Sequence, residues 1–311
     1  MRDALAAVEL ALREKGLGRA QMPPKPYLNF ERYGGDLRVM PAYIEALDMA
    51  GVKVVNSHPR NPSNYGLPTV MATIFLVKPE TGQPLAIMGG TWITAMRTGA
   101  ASGIASRHLA RENSERLALI GAGAQAMAQL MGISEHFDLS EVRVWSKDPA
   151  LAKRFISQAR EAVQVEFNAL DGPRDCVSRA DIISTITPST SPLIEDAWVD
   201  EGVHINAVGA DAPGKQELDP AILRRARIFL DDWAQAMHGG EVNVPLSKGI
   251  LSKDEIAGEL SDVILGKVKG RLSPRDITLF DSTGLAIQDV ATAHTVYLKA
   301  LKSGLGAQVE L

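Results

Sequence analysis

The sequence predicts an α/β protein in which a doubly wound, parallel-sheet domain is inserted into a smaller α+β unit. Three observations carry this. From residue 116 to about Asp281, strand-like and helix-like segments alternate, and such alternation calls for parallel strands joined by crossover helices. The first 90 residues show no such alternation, only β-like runs and a hairpin signal. The closing segment Ala286 to Leu301 sets Ile287, Val290, Val296 and Leu301 at mostly three-to-four spacing, an amphipathic helix that reads as returning to the first domain. The expected division is 1–112 plus 284–311 for the smaller unit and 113–283 for the inserted domain.

In chain order, Leu5, Val8 and Leu12 mark one face of an opening helix that Gly16 and Gly18 stop. A Pro-rich stretch, QMPPKPYL, leads into β-like runs at Leu37–Met40, Val52–Val55 and Val70–Val77. The last is joined through Pro79-Glu80-Thr81-Gly82 to Leu85–Met88 as a hairpin. Thr91 to Ala110 reads as a long helix rich in Gly and Ala, with Arg97 in its middle. Interior glycines cost such a helix about 1 kcal/mol each, so they imply that another backbone, a sheet or a ligand comes very close. Beyond it lie strand RLALIG, a helix from Ala124, strand EVRVW, a helix from Pro149, strand VQVEF, a short helix, and strands ADIIST, VHINAV and ARIFL.

Composition narrows the function classes. Hydrophobic residues at 45% and charged ones at 23% of 311 exclude a disordered or coiled-coil chain. Lys+Arg 33 against Asp+Glu 37, with no basic block, argues against nucleic acid or an anionic membrane as partner. The longest apolar stretch, Thr69 to Val77, is too short to span a bilayer. The N-terminus lacks the apolar core of a signal peptide, and the lone Cys176 suits a reducing compartment, so a cytoplasmic location is expected. Six scattered histidines make no metal motif, and neither a G-x-S-x-G elbow nor a Walker A lysine is present. Cys176, in a short helix beside Asp175 and Arg179, reads as inert.

The strongest local signal is Gly121-Ala122-Gly123-Ala124-Gln125-Ala126, a G-x-G-x-x-A turn between an apolar strand and a helix. Gly121 permits the tight turn, Gly123 lets a pyrophosphate approach the backbone, and Ala126 permits close helix–strand packing. This predicts a dinucleotide cofactor. The next strand ends in Ser146-Lys147, with Asp148 the first acid. A serine and a cation suit a 2′-phosphate better than a carboxylate would, which leans towards NADP over NAD, although the same residues also fit a solvated turn. Asp211 follows strand VHINAV, where ligands of parallel sheets bind, but a single Asp in a Gly-rich loop reads by itself first as an Asx-turn residue. Lys53, alternating with Val52 and Val54, reads by itself as a solvent-facing strand lysine. Arg97, among small and apolar residues, calls for an anionic partner, and with Lys25, Arg38 and Lys53 could line a carboxylate-binding wall.

Taken together, ITAMRTGAASGIASRHLA, LALIGAGAQA, HINAVGADAPGKQELD and FDSTGLAIQDVA resemble the ornithine cyclodeaminase/mu-crystallin family over nearly the whole chain. Within it, MPPKPYL, GDLRVMPAY, GVKVVNSHPRNP and GLPTVMA look most like archaeal-type alanine dehydrogenases. The resemblance implies a Rossmann domain inserted in a substrate-binding and dimerisation domain, and a homodimer. It also implies that an initial strand and turn of the family are missing here. It gives Lys53 the role of proton donor and acceptor, Asp211 a place beside the amine or imine, and Lys25, Arg38 and Arg97 the substrate pocket. Arg97, Thr98, Gly121, Gly123, Ala124, Gln125, Ser146, Lys147, Asp148, Asn206, Ala207, Val208, Lys215 and Ser282 fall at or beside cofactor-contacting positions. Ornithine cyclodeaminases carry a glutamate at the place of Arg38, so arginine here counts against a substrate with a distal amine. Ser146 stands where the NAD-using alanine dehydrogenases carry an acid.

The implied reaction is reversible reductive amination of a 2-oxo acid, most simply pyruvate to L-alanine, by an NAD(P)-dependent oxidoreductase acting on CH–NH2 or C=N. The alternatives implied are reduction of a preformed ketimine or imino acid, then cyclodeamination, then a mu-crystallin-like binding protein with little turnover.

Overall fold

The computed structural model describes residues 1–310. The chain opens with α1 (Arg2–Gly16), whose Leu5, Val8 and Leu12 are buried, followed by β1 (Ala20–Gln21), β2 (Tyr27–Phe30), β3 (Gly35–Ile44) and β4 (Met49–Ser57). Then come α2 (Asn61–Tyr65), β5 (Val70–Val77), β6 (Pro84–Gly89) and the long α3 (Thr91–Leu109). β1 and β3 to β6 form an antiparallel sheet in the order β1-β3-β4-β5-β6, with β2 added beside β3. β2 lies in what the sequence presents as a Pro-rich connection, because Tyr27 and Leu28 pair with Arg38 and Leu37.

The second half contributes β7 (Arg116–Ile120), α4 (Ala126–Ser134), β8 (Glu141–Trp145), α5 (Pro149–Ala162), β9 (Glu166–Ala169) and α6 (Pro173–Val177). After these come β10 (Ile182–Thr185), β11 (Thr190–Ile194), β12 (His204–Ala207), β13 (Gln216–Leu218), α7 (Pro220–Arg225), β14 (Ala226–Leu230), α8 (Trp233–Gly239) and α9 (Asn243–Ser247). β15 (Ile256–Glu259), α10 (Leu260–Ile264), β16 (Ile277–Asp281) and the final α11 (Ala286–Lys302) complete the chain. Eight strands form one all-parallel sheet, β15-β14-β16-β12-β10-β7-β8-β9, and β11 pairs with β13 separately. The order reverses between β7 and β10, the switch point at which open α/β sheets bind ligands.

Local boundaries shift slightly from expectation. The helix after the glycine turn begins at Ala126 rather than Ala124, and the strand expected at VQVEF begins at Glu166. α11 also departs from a simple amphipathic helix. Its first half is buried on all sides, between α1 and the antiparallel sheet, whereas Val296 and Leu301, counted on the apolar face, are exposed.

Two compact units result, 2–97 with 285–311, and 98–284 with Met1. The division therefore falls inside α3, at Arg97/Thr98, instead of at residue 112. The glycines of α3 explain this. A Cβ on Gly99 would stand 2.0 Å from the Ala128 carbonyl oxygen of α4, and one on Gly103 would stand 2.3 Å from that of Gly132. The backbones of α3 and α4 touch, so this part of α3 packs with the parallel-sheet unit. Of the three partners that the glycines could have served, the backbone of another helix is the one found.

Candidate active site

In the antiparallel unit, Met49, Lys53 and Val55 of β4 are buried, and Ala50, Val52 and Val54 on the opposite face are half-buried. Lys53 is thus the inward residue and its valine neighbours the outward ones, the reverse of an exposed strand lysine. The reason is tertiary: α11 lies over this face of the sheet, and the lysine meets its partner there.

That partner is Asp289 in the first turn of α11. Lys53 Nζ lies 2.6 Å from Asp289 Oδ2, an ion pair between side chains that are almost fully buried. Asp289 Oδ1 accepts from Arg97 Nε at 2.9 Å, and Arg97 Nη1 donates to Gln288 Oε1 at 3.2 Å. One buried carboxylate therefore holds two cations. Burial pushes the Lys53 ammonium down, the Arg97 charge pushes it further, and Asp289 pulls it back, leaving it at about 7, with Lys25 adding a small further push downward. Buried lysines at this pKa exchange protons at neutral pH.

Arg38 shares this face of the sheet. It stands opposite Val55 in the β3–β4 register, one diagonal step from Lys53. Asp36 grips its guanidinium as a fork, accepting from Nε at 3.1 Å and from Nη2 at 2.8 Å, and the group stacks over the Tyr27 ring at 5.2 Å. Lys25, Arg38, Lys53 and Arg97 all belong to this one unit. Asp289, Gln288 and Asp36 were not among the residues singled out from the sequence. A carboxylate between buried Ile287 and Val290 was the available signal for Asp289.

Asp211 belongs to the other unit, in the loop after β12, where Lys215 Nζ donates to its carboxylate. Two residues with separate expected roles are therefore paired with each other. In the same unit Gly121 takes φ 115°, which L side chains rarely adopt, in the turn after β7. At Gly123 a Cβ would meet no atom within 4 Å, and Gly123 and Ala124 are exposed. No packing within the chain requires glycine there, whereas the close approach of a ligand does. Gln125 precedes α4, and its Oε1 is buried without a hydrogen-bond partner, as is the hydroxyl of Ser282 after β16. These features fit a dinucleotide at this turn. Gly123→Ala is accordingly expected to leave the urea midpoint unchanged while weakening NADH binding at least tenfold, about 1.4 kcal/mol, read by titration of protein fluorescence.

Other expected cofactor contacts divide by environment. Ser146 is half-buried and Lys147 exposed at the end of β8, and Asp148 caps α5, accepting from the Ala150 N–H at 2.9 Å. Ala207 and Val208 are buried at the end of β12, and Thr98 is buried in α3. The Asn206 side chain is turned into the interior, donating to Ser106 Oγ at 2.9 Å with its Oδ1 3.2 Å from His204 Nε2. Burial pushes His204 down to about 3, so the ring is neutral. Burial also pushes the Cys176 thiol up to about 12, which suits the inert role expected of it. Among the described residues no group of three or more His, Cys, Asp or Glu side chains could hold a metal ion, and no helix is long and apolar enough to cross a membrane.

The chain as a whole is similar to known proteins. The chain is 49% identical over 310 residues to an alanine dehydrogenase from Archaeoglobus fulgidus, covering 100% of this chain and 94% of that one. A solved archaeal alanine dehydrogenase dimer with bound NAD superposes with TM-score 0.95 at 48% identity, covering 100% and 95% of the two chains. The Δ1-pyrroline-2-carboxylate reductase of Thermococcus litoralis, solved with NADH and L-proline, superposes with TM-score 0.96 at 37% identity, covering 98% and 95%. The family match itself runs over residues 1–304, and with the glycine turn, the inserted parallel sheet and the buried lysine it leads to one assignment: the chain belongs to the ornithine cyclodeaminase/mu-crystallin family.

Proposed function

We propose that this protein is a nicotinamide-dependent oxidoreductase that interconverts a 2-oxo acid plus ammonia with an L-amino acid, with pyruvate and L-alanine as the first pair. The observation that carries the reading is Lys53, fully buried, held by Asp289 beside Arg97 and tuned to about 7. Its support from relatives is the identity with the Archaeoglobus alanine dehydrogenase.

In the reductive direction Arg97 and Lys25 hold the substrate carboxylate. Arg97 Nε and Nη1 are engaged by Asp289 and Gln288, which leaves Nη2 as the corner of the guanidinium for that carboxylate. Lys53 donates a proton to the carbonyl oxygen as ammonia adds, takes one back from the added nitrogen to leave the carbinolamine, and donates it again as that oxygen leaves as water. Asp211, paired with Lys215, orients the amine or steadies the iminium. The bound nicotinamide supplies the hydride. Arg38, fixed by Asp36, leaves no counter-charge for a distal amine, against cyclodeamination of ornithine.

The test is oxidation of reduced cofactor by pure protein with pyruvate, with and without ammonium. Ammonium-dependent oxidation is expected, and none sinks the reading. A second reading, reduction of a preformed cyclic imino acid by the same residues, is favoured by the likeness to the pyrroline-2-carboxylate reductase. It requires oxidation without ammonium when the cyclic imine is supplied. Comparing NADH with NADPH decides the weight of Ser146 and Lys147. Those residues favour a 2′-phosphate, whereas the solved relatives carry NAD or NADH.

We propose a homodimer formed through the outward face of the antiparallel sheet. Pro41, Val52, Phe75 and Ile87 form one cross-strand row, flanked by Val39 and Val54, and Ile87 is 67% exposed. A continuous apolar row on an antiparallel sheet calls for a cover, and a second copy presents the same row in return. Sedimentation is expected to give a dimer for the wild type and a monomer for Ile87→Glu; a variant that stays dimeric removes this face from the interface.

A further inference from the structure

Among the buried carboxylates of the parallel-sheet unit that take no part in the chemistry above are Glu217, Glu241 and Asp281. Among the described residues none of these three makes an ion pair; their bonds run to backbone and hydroxyl groups. Glu217 on β13 spans two loops. Its Oε1 accepts from the N–H of Thr187 and from the Thr187 hydroxyl, both at 2.7 Å, and its Oε2 accepts from the N–H of Gly209 at 2.9 Å. Thr187 belongs to the loop after β10, and Gly209 lies two residues before Asp211 in the loop after β12. The loops are pressed together at this point. A Cβ on Gly209 would stand 2.2 Å from the Thr187 carbonyl oxygen and 2.4 Å from Glu217 Oε2. Thr187 in turn packs on the dinucleotide turn, its Cγ2 3.1 Å from where a Gly121 Cβ would be.

Glu217 is itself held from behind. Glu241 accepts from the backbone N–H groups of Glu217 and Leu218 at 2.7 to 3.1 Å, and Asp281, at the end of β16, accepts from the Val242 N–H at 3.1 Å. The chain of carboxylates thus runs from the sheet to the loop that carries Asp211. A surface loop needs no such anchorage, whereas a loop that must keep a reacting group within a fraction of an ångström does.

We propose that Glu217 is a positioning residue, whose carboxylate straps the Thr187 loop to the Gly209–Lys215 loop and so sets where Asp211 stands during the reaction. The catalytic half of this rests on the role given to Asp211 above; the strap itself does not.

Glu217→Gln tests it with little change of shape. The amide oxygen can still accept from Thr187, but its NH2 faces the Gly209 N–H, donor against donor, and the Asp211 arm is cut. In hydrogen exchange, amides of 186–190 and 208–214 are expected to exchange faster in the variant while those of β7 and β12 keep their protection. Unchanged exchange overturns the strap, whatever the substrate proves to be. In turnover, Glu217→Gln is expected to lower kcat on the order of 10- to 100-fold, with a smaller change in KM for the oxo acid. Added to Asp211→Asn, it is expected to cost no more than about twofold further, because both act through one group. Fully multiplicative losses overturn the positioning role. Should Glu217→Gln fail to fold, Thr187→Val removes one donor of the strap and is expected to show the same pattern more weakly, with Thr187→Ser like the wild type. Thr187→Val with wild-type exchange and kcat overturns the proposal. A wild type without ammonium-dependent turnover refutes the reading of Asp211's reaction, and exchange alone then decides the strap.

Discussion

Lys53→Ala is expected to lower kcat by about three orders of magnitude, within the range that a positioned acid–base group supplies, while NADH binding changes less than about twofold. The distinction follows from the fold. Lys53 sits on β4 of the antiparallel unit, whereas the glycine turn belongs to the parallel-sheet unit. The pH profile carries the sharper signature. With Lys53 at about 7, the oxidative direction needs the neutral amine as base, so its kcat/KM rises as pH increases through about 7. The reductive direction needs the ammonium as acid, so its kcat/KM falls over the same interval. Both limbs are expected to vanish in Lys53→Ala. Unchanged turnover, or a profile that keeps its inflection, removes Lys53 from the mechanism.

Asp289→Ala is expected to destabilise the protein by about 3–5 kcal/mol, the usual cost of deleting one partner of a buried ionic cluster. Two cations, Lys53 and Arg97, would then face each other in a buried site with only the Gln288 amide oxygen left to Arg97. Urea unfolding at pH 7 measures the loss, and a change under about 0.5 kcal/mol would show that the cluster is not buried in solution. The double variant Lys53→Met/Asp289→Ala is expected to recover part of the loss, because Arg97 no longer faces a second cation. The direction of the remaining titration is also set. Asp289 raises the Lys53 pKa, so without it the inflection of the rate profile moves below 7.

The parallel-sheet half was legible because its order is written locally. Strand and helix alternate with short connections, and the G-x-G-x-x-A turn needs only three positions to declare itself. The opening helix, the β5–β6 hairpin and the return of the last helix to the first domain were readable for the same reason. Small strands such as β2 and β13 were missed because their pairing partners, not their composition, make them strands. The glycines of α3 announced a close approach without naming the neighbour, since helix contact, sheet contact and ligand contact all require the same missing Cβ.

The sequence by itself determined the fold class and the family resemblance, marked the glycine turn, and through the resemblance singled out Lys53, Arg97 and Asp211 as candidates. Tertiary structure decided what surrounds them. A lysine between two valines has the same pattern whether it faces water or the core, because alternation tells which residues share a face and not which face is covered. Covering that face with α11 brought Asp289 across more than 230 residues of chain to Lys53, and with Arg97 made one buried cluster. Charge regulation of this kind depends on distance and burial, and neither is a property of any local stretch of sequence.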